Sequence, residues 1–291
     1  ADRTMMNDLI KNKESIMKLL GHMEIDEANE EYQSLSYEEK AVQEAKNRGI
    51  ERSFDEMQWL IDNHEGKDKV SMWFEYYFSK NGRFFMDTNT INPQTDKQLH
   101  RFVVQPKSHT LTYTVKRDKN GLRFKVNGKD VTEYVHYAIA QAFGLATDKK
   151  ATTEIESFAR TVLKKLNNKS AIAKAKADFL ATGKHTLTDE YSITMEHIGH
   201  AIQGFDFLEK MVAAKGNNTF DSALSAEFDA VTSGFGLKLL QMPIIKNVYT
   251  WLAKVGVFRD DDASAKDSMN DALSSGLSDS YQTLAKGVTF P

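Results

Sequence analysis

Within EFDAVTSGFGLKLLQ, Glu227 to Gln241, a carboxylate, Asp229, stands between an apolar approach and a Ser-Gly turn that opens an amphipathic run. Placed where a strand ends and a helix begins, its side chain and the carbonyl of Ala230 would point two oxygens at one edge of a sheet. Such a pair suits Mg²⁺, which takes oxygen ligands and keeps much of its shell for water and substrate phosphates. The competing reading makes Asp229 the cap of the following helix, although Thr232 and Ser233 are better placed for that role. Asn81-Gly82-Arg83 is a second candidate: Gly82 lets the backbone turn while Arg83 projects toward a phosphate. Asn92-Pro93-Gln94, followed by Lys97 and Arg101, extends the same polar, basic surface, with an ordinary surface turn as the alternative. In Glu196-His197-Ile-Gly-His200, with Glu190 upstream, two imidazoles lie three residues apart on a helix, a spacing that can hold a metal. The order is not that of a zinc protease and no third ligand is evident, so a polar helix face competes with a metal site there.

What is missing narrows the chemistry. The chain has no cysteine, which removes disulfides, thiolate catalysis and cysteine metal sites. No nucleophile elbow, phosphate-loop lysine motif or dinucleotide fingerprint is present. Its 291 residues are 41% hydrophobic, enough for one large domain or two small ones. No apolar run approaches the roughly 18 residues of a membrane span, and ADRTMMNDLIKNKES has no signal-peptide core; a cytoplasmic protein is expected. The net charge of −3 conceals segregation. Glu24 to Glu56 carries eleven acids against four bases, Lys97 to Lys129 nine bases against Asp118 alone, and Arg160 to Lys184 seven against Asp178. Solvated faces and a phosphate-tracking groove account for this equally well.

The elements that must position these residues can be read coarsely. Residues 1 to about 65 show helical periodicity, with capping patterns at Ser36/Glu39 and Ser53/Glu56. VSMWFEYYFS, Val70 to Ser79, reads as a strand ending in the Gly82 turn. HTLTYTVKRDKNGLRFKVNGKDV alternates on both sides of Asn120-Gly121, a hairpin signal, and both arms are basic. Helices are expected from Val131 to Phe143, Thr153 to Leu166, Ser170 to Ala181 and Ser192 to Ala214, and a short strand over ALSAEFDA. Pro243 must bend or restart the helix that follows Asp229, and the tail after Arg259 is polar and weakly patterned.

In order and spacing, the GR turn, the NPQ-K-R segment, the helices and the Asp-x-x-x-Ser-Gly turn resemble the bacteriophage-type single-subunit RNA polymerases. SKNGRFFMDTNTINPQTDKQLHRFVV looks like the segment around the Gly-Arg motif in the branch carried inside the virions of some podophages. VTEYVHYAIAQAFGL looks like the helix that follows, and EFDAVTSGFGLKLLQMP like motif A, over roughly residues 41 to 290. The resemblance implies an α+β fold, mostly helical. Residues 1–65 would form a reduced thumb-like lobe, 66–258 part of a right-hand palm with a small antiparallel sheet, and 259–291 a polar tail or the start of a partner-contacting segment. It implies that Asp229 binds both catalytic Mg²⁺ ions, that Ala230 lends a backbone carbonyl, and that Arg83 holds template or hybrid near the active site. Gly234 occupies the position where related DNA polymerases carry a glutamate that excludes the ribose 2′-hydroxyl, so ribonucleotides are favoured.

The family's His-Asp motif and its Arg-Lys-Tyr fingers helix are absent. The expectation is therefore a fragment, or the smaller, motif A-bearing subunit of a two-chain polymerase whose partner supplies the second aspartate and the fingers. The reaction would be DNA-templated RNA synthesis from ribonucleoside triphosphates, in the cytoplasm of an infected bacterium and away from membranes. Lys97, Arg101, Lys116, Arg117, Arg123 and Lys125 are the expected nucleic-acid contacts besides Arg83. The alternatives are a non-catalytic phage nucleic-acid-binding or structural protein, and a metal-dependent nuclease using Asp229 with His197 or His200.

Overall fold

The computed structural model describes residues 1–79, 84–88, 90–105, 110–118, 121–147, 150–214 and 218–227. Arg83, Asp229, Ala230, Gly234 and the 259–291 tail lie outside the described residues. Among the described residues, nine helices combine with small antiparallel sheets, the expected α+β architecture.

Four helices open the chain: α1 (Arg3–Lys11), α2 (Lys13–Leu19), α3 (Glu30–Gln33) and α4 (Tyr37–Asn63). The Asp2 side chain accepts from the Met5 N–H at 3.0 Å and caps α1. Ser36 and Glu39 form the expected reciprocal capping box on α4. The second capping pattern, at Ser53 and Glu56, starts no helix: α4 runs through it unbroken. The Ser53 hydroxyl donates instead to the Asp96 carboxylate at 2.7 Å, so a residue type suited to a helix start here ties the helix to a distant loop.

Two hydrophobic clusters make up the interior. The first joins Met6 and Leu9 of α1, Ile16 of α2 and Phe54, Met57 and Leu60 of α4 to Phe102 and Val103 of α5 (His100–Val103). The second, larger cluster lies between a four-stranded sheet and three helices: α6 (Thr132–Ala142), α7 (Thr152–Lys165) and α8 (Lys169–Thr182). That sheet has the order β5-β4-β3-β8, built from β3 (Leu111–Asp118), β4 (Gly121–Val126), β5 (Lys129–Asp130) and β8 (Thr219–Ser222), all antiparallel. The expected hairpin is β3–β4, with Val115 opposite Phe124 and Asp118 opposite Gly121.

One helix belongs to both clusters. α9 (Ile198–Ala213) gives Ile198 and Ile202 to the first and Phe205, Phe207 and Leu208 to the second. Its polar residues His200 and Gln203 are buried too, so α9 is a central helix enclosed for most of its length. Two glycines set how closely others approach it. A Cβ on Gly199 would lie 2.7 Å from the Gln98 carbonyl, and one on Gly204 would lie 3.0 Å from both Ala142 and Phe143. Helices α5 and α6 thus rest almost on the α9 backbone.

Other elements depart from the sequence reading. The strand expected from Val70 forms only at β1 (Glu75–Phe78), paired with β2 (Phe84–Asp87) in a separate hairpin. The helix expected from Ser192 begins at Ile198, because Ser192–Thr194 is strand β7, paired with β6 (Lys184–Thr186). The β-branched Ile193 and Thr194 suit an extended chain, and a strand partner just upstream decides the outcome. The strand expected over ALSAEFDA sits four residues earlier as β8, and residues 223–227 pair with no described strand. No described helix is long and apolar enough to cross a membrane.

Candidate functional site

Glu227 is the last described residue before Asp229, and the path of the chain into it is closely held. No strand among the described residues pairs with residues 223–227, so their backbone groups find other partners. Side chains supply partners at Ala223, Ser225 and Glu227, and the Leu224 N–H donates to the Ser222 hydroxyl at 3.3 Å. The Ala223 carbonyl accepts from Gln105 Nε2 at 3.4 Å. The Ser225 carbonyl accepts from His200 Nε2 at 2.8 Å, while the Ser225 N–H and hydroxyl both donate to Gln203 Oε1, at 3.1 and 2.7 Å. At Glu227 the Gln141 amide makes both backbone bonds: Oε1 accepts from the N–H at 2.8 Å and Nε2 donates to the carbonyl at 2.6 Å. Arg101 closes the arrangement, its Nη1 lying 3.0 and 3.2 Å from the two Glu227 carboxylate oxygens.

These side chains come from three helices and one loop, and the two glycines of α9 explain how they meet. Gly204 admits α6, which carries Gln141, and Gly199 admits the turn before α5, which carries Arg101. Gln203 also donates to the Phe102 carbonyl at 3.3 Å, linking α9 to α5 a second time. Neither glutamine figured in the sequence reading. The available signal was a polar amide inside an apolar helical run, YAIAQAF for Gln141 and HAIQGF for Gln203, since a buried amide must find partners.

The two histidines are not arranged as a metal pair. His200 is 2% exposed, stacks on Phe102 with ring centroids 4.8 Å apart, and donates through Nε2 to a carbonyl. Burial lowers its pKa from the usual 6.5 to about 4, so it is neutral near pH 7. His197 precedes α9, and its Nδ1 is buried without a hydrogen-bond partner among the described residues. No group of three or more potential metal-binding side chains occurs among the described residues. The Glu227 carboxylate is held by Arg101, and Asp229 lies beyond the described residues.

The Asn-Pro-Gln segment braces strand β2 of the β1–β2 hairpin. Gln94 Oε1 accepts from the Met86 N–H at 2.7 Å and its Nε2 donates to the Phe84 carbonyl at 3.0 Å. Asn92 Oδ1 accepts from the Gln94 and Thr95 N–H groups, at 3.0 and 3.1 Å, which fixes the turn itself. Lys97 is exposed beside it, whereas Arg101 points inward to Glu227.

The basic residues of β3–β4 divide between two faces. Lys116 faces Arg123 across the hairpin, and Lys125 lies two residues along on the same side. Arg123 Nε donates to Asp118 at 3.0 Å, while Lys116 and Lys125 are exposed. Arg117 lies on the opposite face, opposite Leu122, and lines a cavity of about 320 Å³ with Leu163 and Met211. Of the four cations named as nucleic-acid contacts on this hairpin, three therefore share one face and Arg117 lies on the other.

Residues 2–104 match the family described as virion DNA-directed RNA polymerase domain. The matched segment takes in helices α1 to α5, strands β1 and β2, the Asn-Pro-Gln turn and Arg101, and ends before Asp229. Among curated proteins and among solved structures, no significant match was found. That match, over about a third of the chain, agrees with the ordered motifs in pointing to a relation with phage-type DNA-directed RNA polymerases.

Proposed function

We propose that this chain is a subunit of a DNA-directed RNA polymerase, and that it contributes Asp229 and the carbonyl of Ala230 to a two-metal nucleotidyl-transfer site. The observation carrying the proposal is the match over residues 2–104, in which Arg101 reaches out to hold the chain two residues before Asp229. Bound there, Mg²⁺ would activate the RNA 3′-hydroxyl and offset the charge of the triphosphate and departing pyrophosphate. Asp229 holds the ions as an oxygen ligand. Gly234, with no side chain, leaves room for the ribose 2′-hydroxyl. Arg83, just before the strand that Gln94 braces, takes a template or hybrid phosphate. Lys97, Lys116, Arg123 and Lys125 track nucleic-acid phosphates more loosely, and Arg117 does so from the other face of its hairpin. Arg101 has a place in this scheme as the partner of Glu227 rather than as a phosphate contact.

A second chain completes the site in this proposal, bringing the second aspartate and the fingers, and the pair acts in the infected bacterial cell. The test is to purify the chain with whatever polypeptide accompanies it and measure templated RNA synthesis with Asp229 replaced. Asp229→Asn abolishes synthesis in the assembled complex while leaving the complex intact. Retention of wild-type synthesis by that variant would refute the role given to Asp229.

A further inference from the structure

The two basic stretches of the sequence, Lys97 to Lys129 and Arg160 to Lys184, meet in the fold at one groove between the β3–β4 hairpin and α7. Two adjoining cavities, of about 320 and 270 Å³, make up this groove and share Arg117, Leu122, Leu163 and Asn167 as walls. Its two ends differ in chemistry. The smaller cavity adds His136, Arg160 and Lys164, and the larger adds Val115, Met211 and Val212. A cationic end thus runs directly into an apolar one.

The side chains at the cationic end are held open to an incoming group. Arg117 stands on the core-facing side of the sheet, in line with Tyr113 and Val115, and makes no hydrogen bond or ion pair among the described residues. Lys164, exposed on α7, has no ion pair among the described residues either. His136 of α6 is 4% exposed and borders the smaller cavity, yet neither ring nitrogen has a hydrogen-bond partner among the described residues. A buried imidazole ordinarily gives its N–H to a protein acceptor, so one that faces a cavity is left for a group that enters it. Burial, and then Arg160, lowers its pKa, which keeps the ring neutral near pH 7 with one N–H to donate. Gly121 makes room for the second guanidinium: a Cβ there would lie 3.1 Å from Arg160 Nη1. Two acids of this region already have cations, Glu156 accepting from Arg160 Nε and Nη2 at 2.9 and 2.6 Å, and Asp118 from Arg123 Nε at 3.0 Å.

We propose that this groove binds a nucleotide, its phosphate among Arg117, Lys164, Arg160 and the His136 N–H, and its base against Val115, Leu163 and Met211. Guanidinium groups match phosphate oxygens in pairs, and an apolar slot of this volume takes the flat face of one base. Asn218, at the rim of the larger cavity, has a side-chain amide to offer a base edge. The site uses no residue beyond Glu227 and stands apart from the metal role proposed for Asp229. The nucleotide is either free or one unit of a single strand, and the same groups recognise both.

Calorimetric titration of the full chain with uridine monophosphate, oligouridylate and inorganic phosphate tests this. Arg117→Gln and Lys164→Gln each weaken nucleotide binding about tenfold, whereas Lys11→Gln, the same loss of charge on α1, leaves it unchanged. Ala214→Trp fills the apolar end, and abolishes nucleotide binding while sparing that of inorganic phosphate. An unchanged far-ultraviolet spectrum shows that each variant is folded. Nucleotide also raises the pKa of His136, followed by proton magnetic resonance, because an anion beside the ring favours imidazolium. The charges already bearing on that ring are Glu133 of α6, Glu156 and Arg160 of α7 and Arg123 of β4, besides the Arg117 and Lys164 that border the groove. Binding of the monophosphate with this dependence on the groove assigns a free nucleotide; the same dependence with oligouridylate alone assigns a unit of a strand. The proposal is overturned if neither binds, if inorganic phosphate binds as tightly as the monophosphate, or if Lys11→Gln weakens binding as much as Arg117→Gln does. RNA synthesis by the Asp229→Asn complex reads the polymerase proposal separately, so either can fail while the other stands.

Discussion

The chain contains two antiparallel hairpins with arms of β-favouring sequence, β1–β2 and β3–β4, and the protein treats them in opposite ways. In the first, Tyr77 stacks on Phe85 and Phe78 meets Phe84 edge-on at 5.1 Å, yet all four residues of β1 are exposed and Phe78 and Phe84 are each 65% accessible. In the second, Tyr113 and Phe124 are buried against Phe207 of α9, while Lys116, Arg123 and Lys125 lie on the outer face. The first is held at its base by the Gln94 side chain; the second is the centre of a four-stranded sheet. Strand propensity and cross-strand pairing are thus common to both, and tertiary coverage separates them. An apolar hairpin surface left to solvent is a hallmark of interaction sites, and this one lies in the segment that matches the polymerase domain.

If that contrast is right, aromatic truncation separates the hairpins most sharply. Phe124→Ala removes a fully buried ring and costs about 3–5 kcal/mol in urea unfolding, whereas Phe78→Ala costs less than about 0.5 kcal/mol. Equal losses would mean that β1–β2 is packed as firmly as β3–β4.

Acid should weaken the packed interior next, because two histidines that resist protonation, His136 and His200, are buried in it. His200 has its pKa lowered to about 4, and burial followed by the nearby Arg160 lowers that of His136. Below pH about 6.5 the unfolded chain binds protons that the folded chain refuses. Stability is therefore full above that pH and falls as pH drops toward about 4, by roughly 3 kcal/mol for His200 alone. Urea titrations at pH 7 and 5 check this, and His200→Gln should flatten the dependence.

A smaller effect is expected at the join between β4 and α6. The buried N–H of Phe124 donates to the Thr132 hydroxyl at 2.9 Å, so Thr132→Val orphans it at a cost of about 1–3 kcal/mol. The smallest effect on stability belongs to the outer charges. Lys116→Gln and Lys125→Gln change it by no more than about 0.5 kcal/mol, but each lowers the salt slope of DNA binding by about 0.9 if it meets a phosphate. An unchanged slope would leave these lysines as solvated surface.

What the sequence disclosed follows the range of the forces involved. The Ser36/Glu39 capping box and the Asn120-Gly121 hairpin depend on neighbours within a few residues, and both are where the pattern put them. Ser53 carries the same local signal and obeys a distant one, because Asp96 is 43 positions away along the chain. Arg101 is the functional counterpart. Its basic neighbourhood suggested phosphate, and its actual partner, 126 positions on, is visible only once α5 and α6 have been brought against α9. The division of Lys116 from Arg117 was legible in principle, since adjacent strand residues face opposite ways. The order of the Gly-Arg and Asn-Pro-Gln motifs pointed to the same kind of polymerase as the family model that matches residues 2–104.

The sharing of α9 between the two clusters also bears on modularity. The segment that matches the polymerase domain ends at residue 104, but its interior is closed by Ile198 and Ile202, which the same match does not include. A chain cut after residue 104 would leave an open groove where those two side chains belong. The homologous unit and the cooperative folding unit therefore have different boundaries, and the protein should lose both clusters in one transition rather than shed its N-terminal third as an independent body.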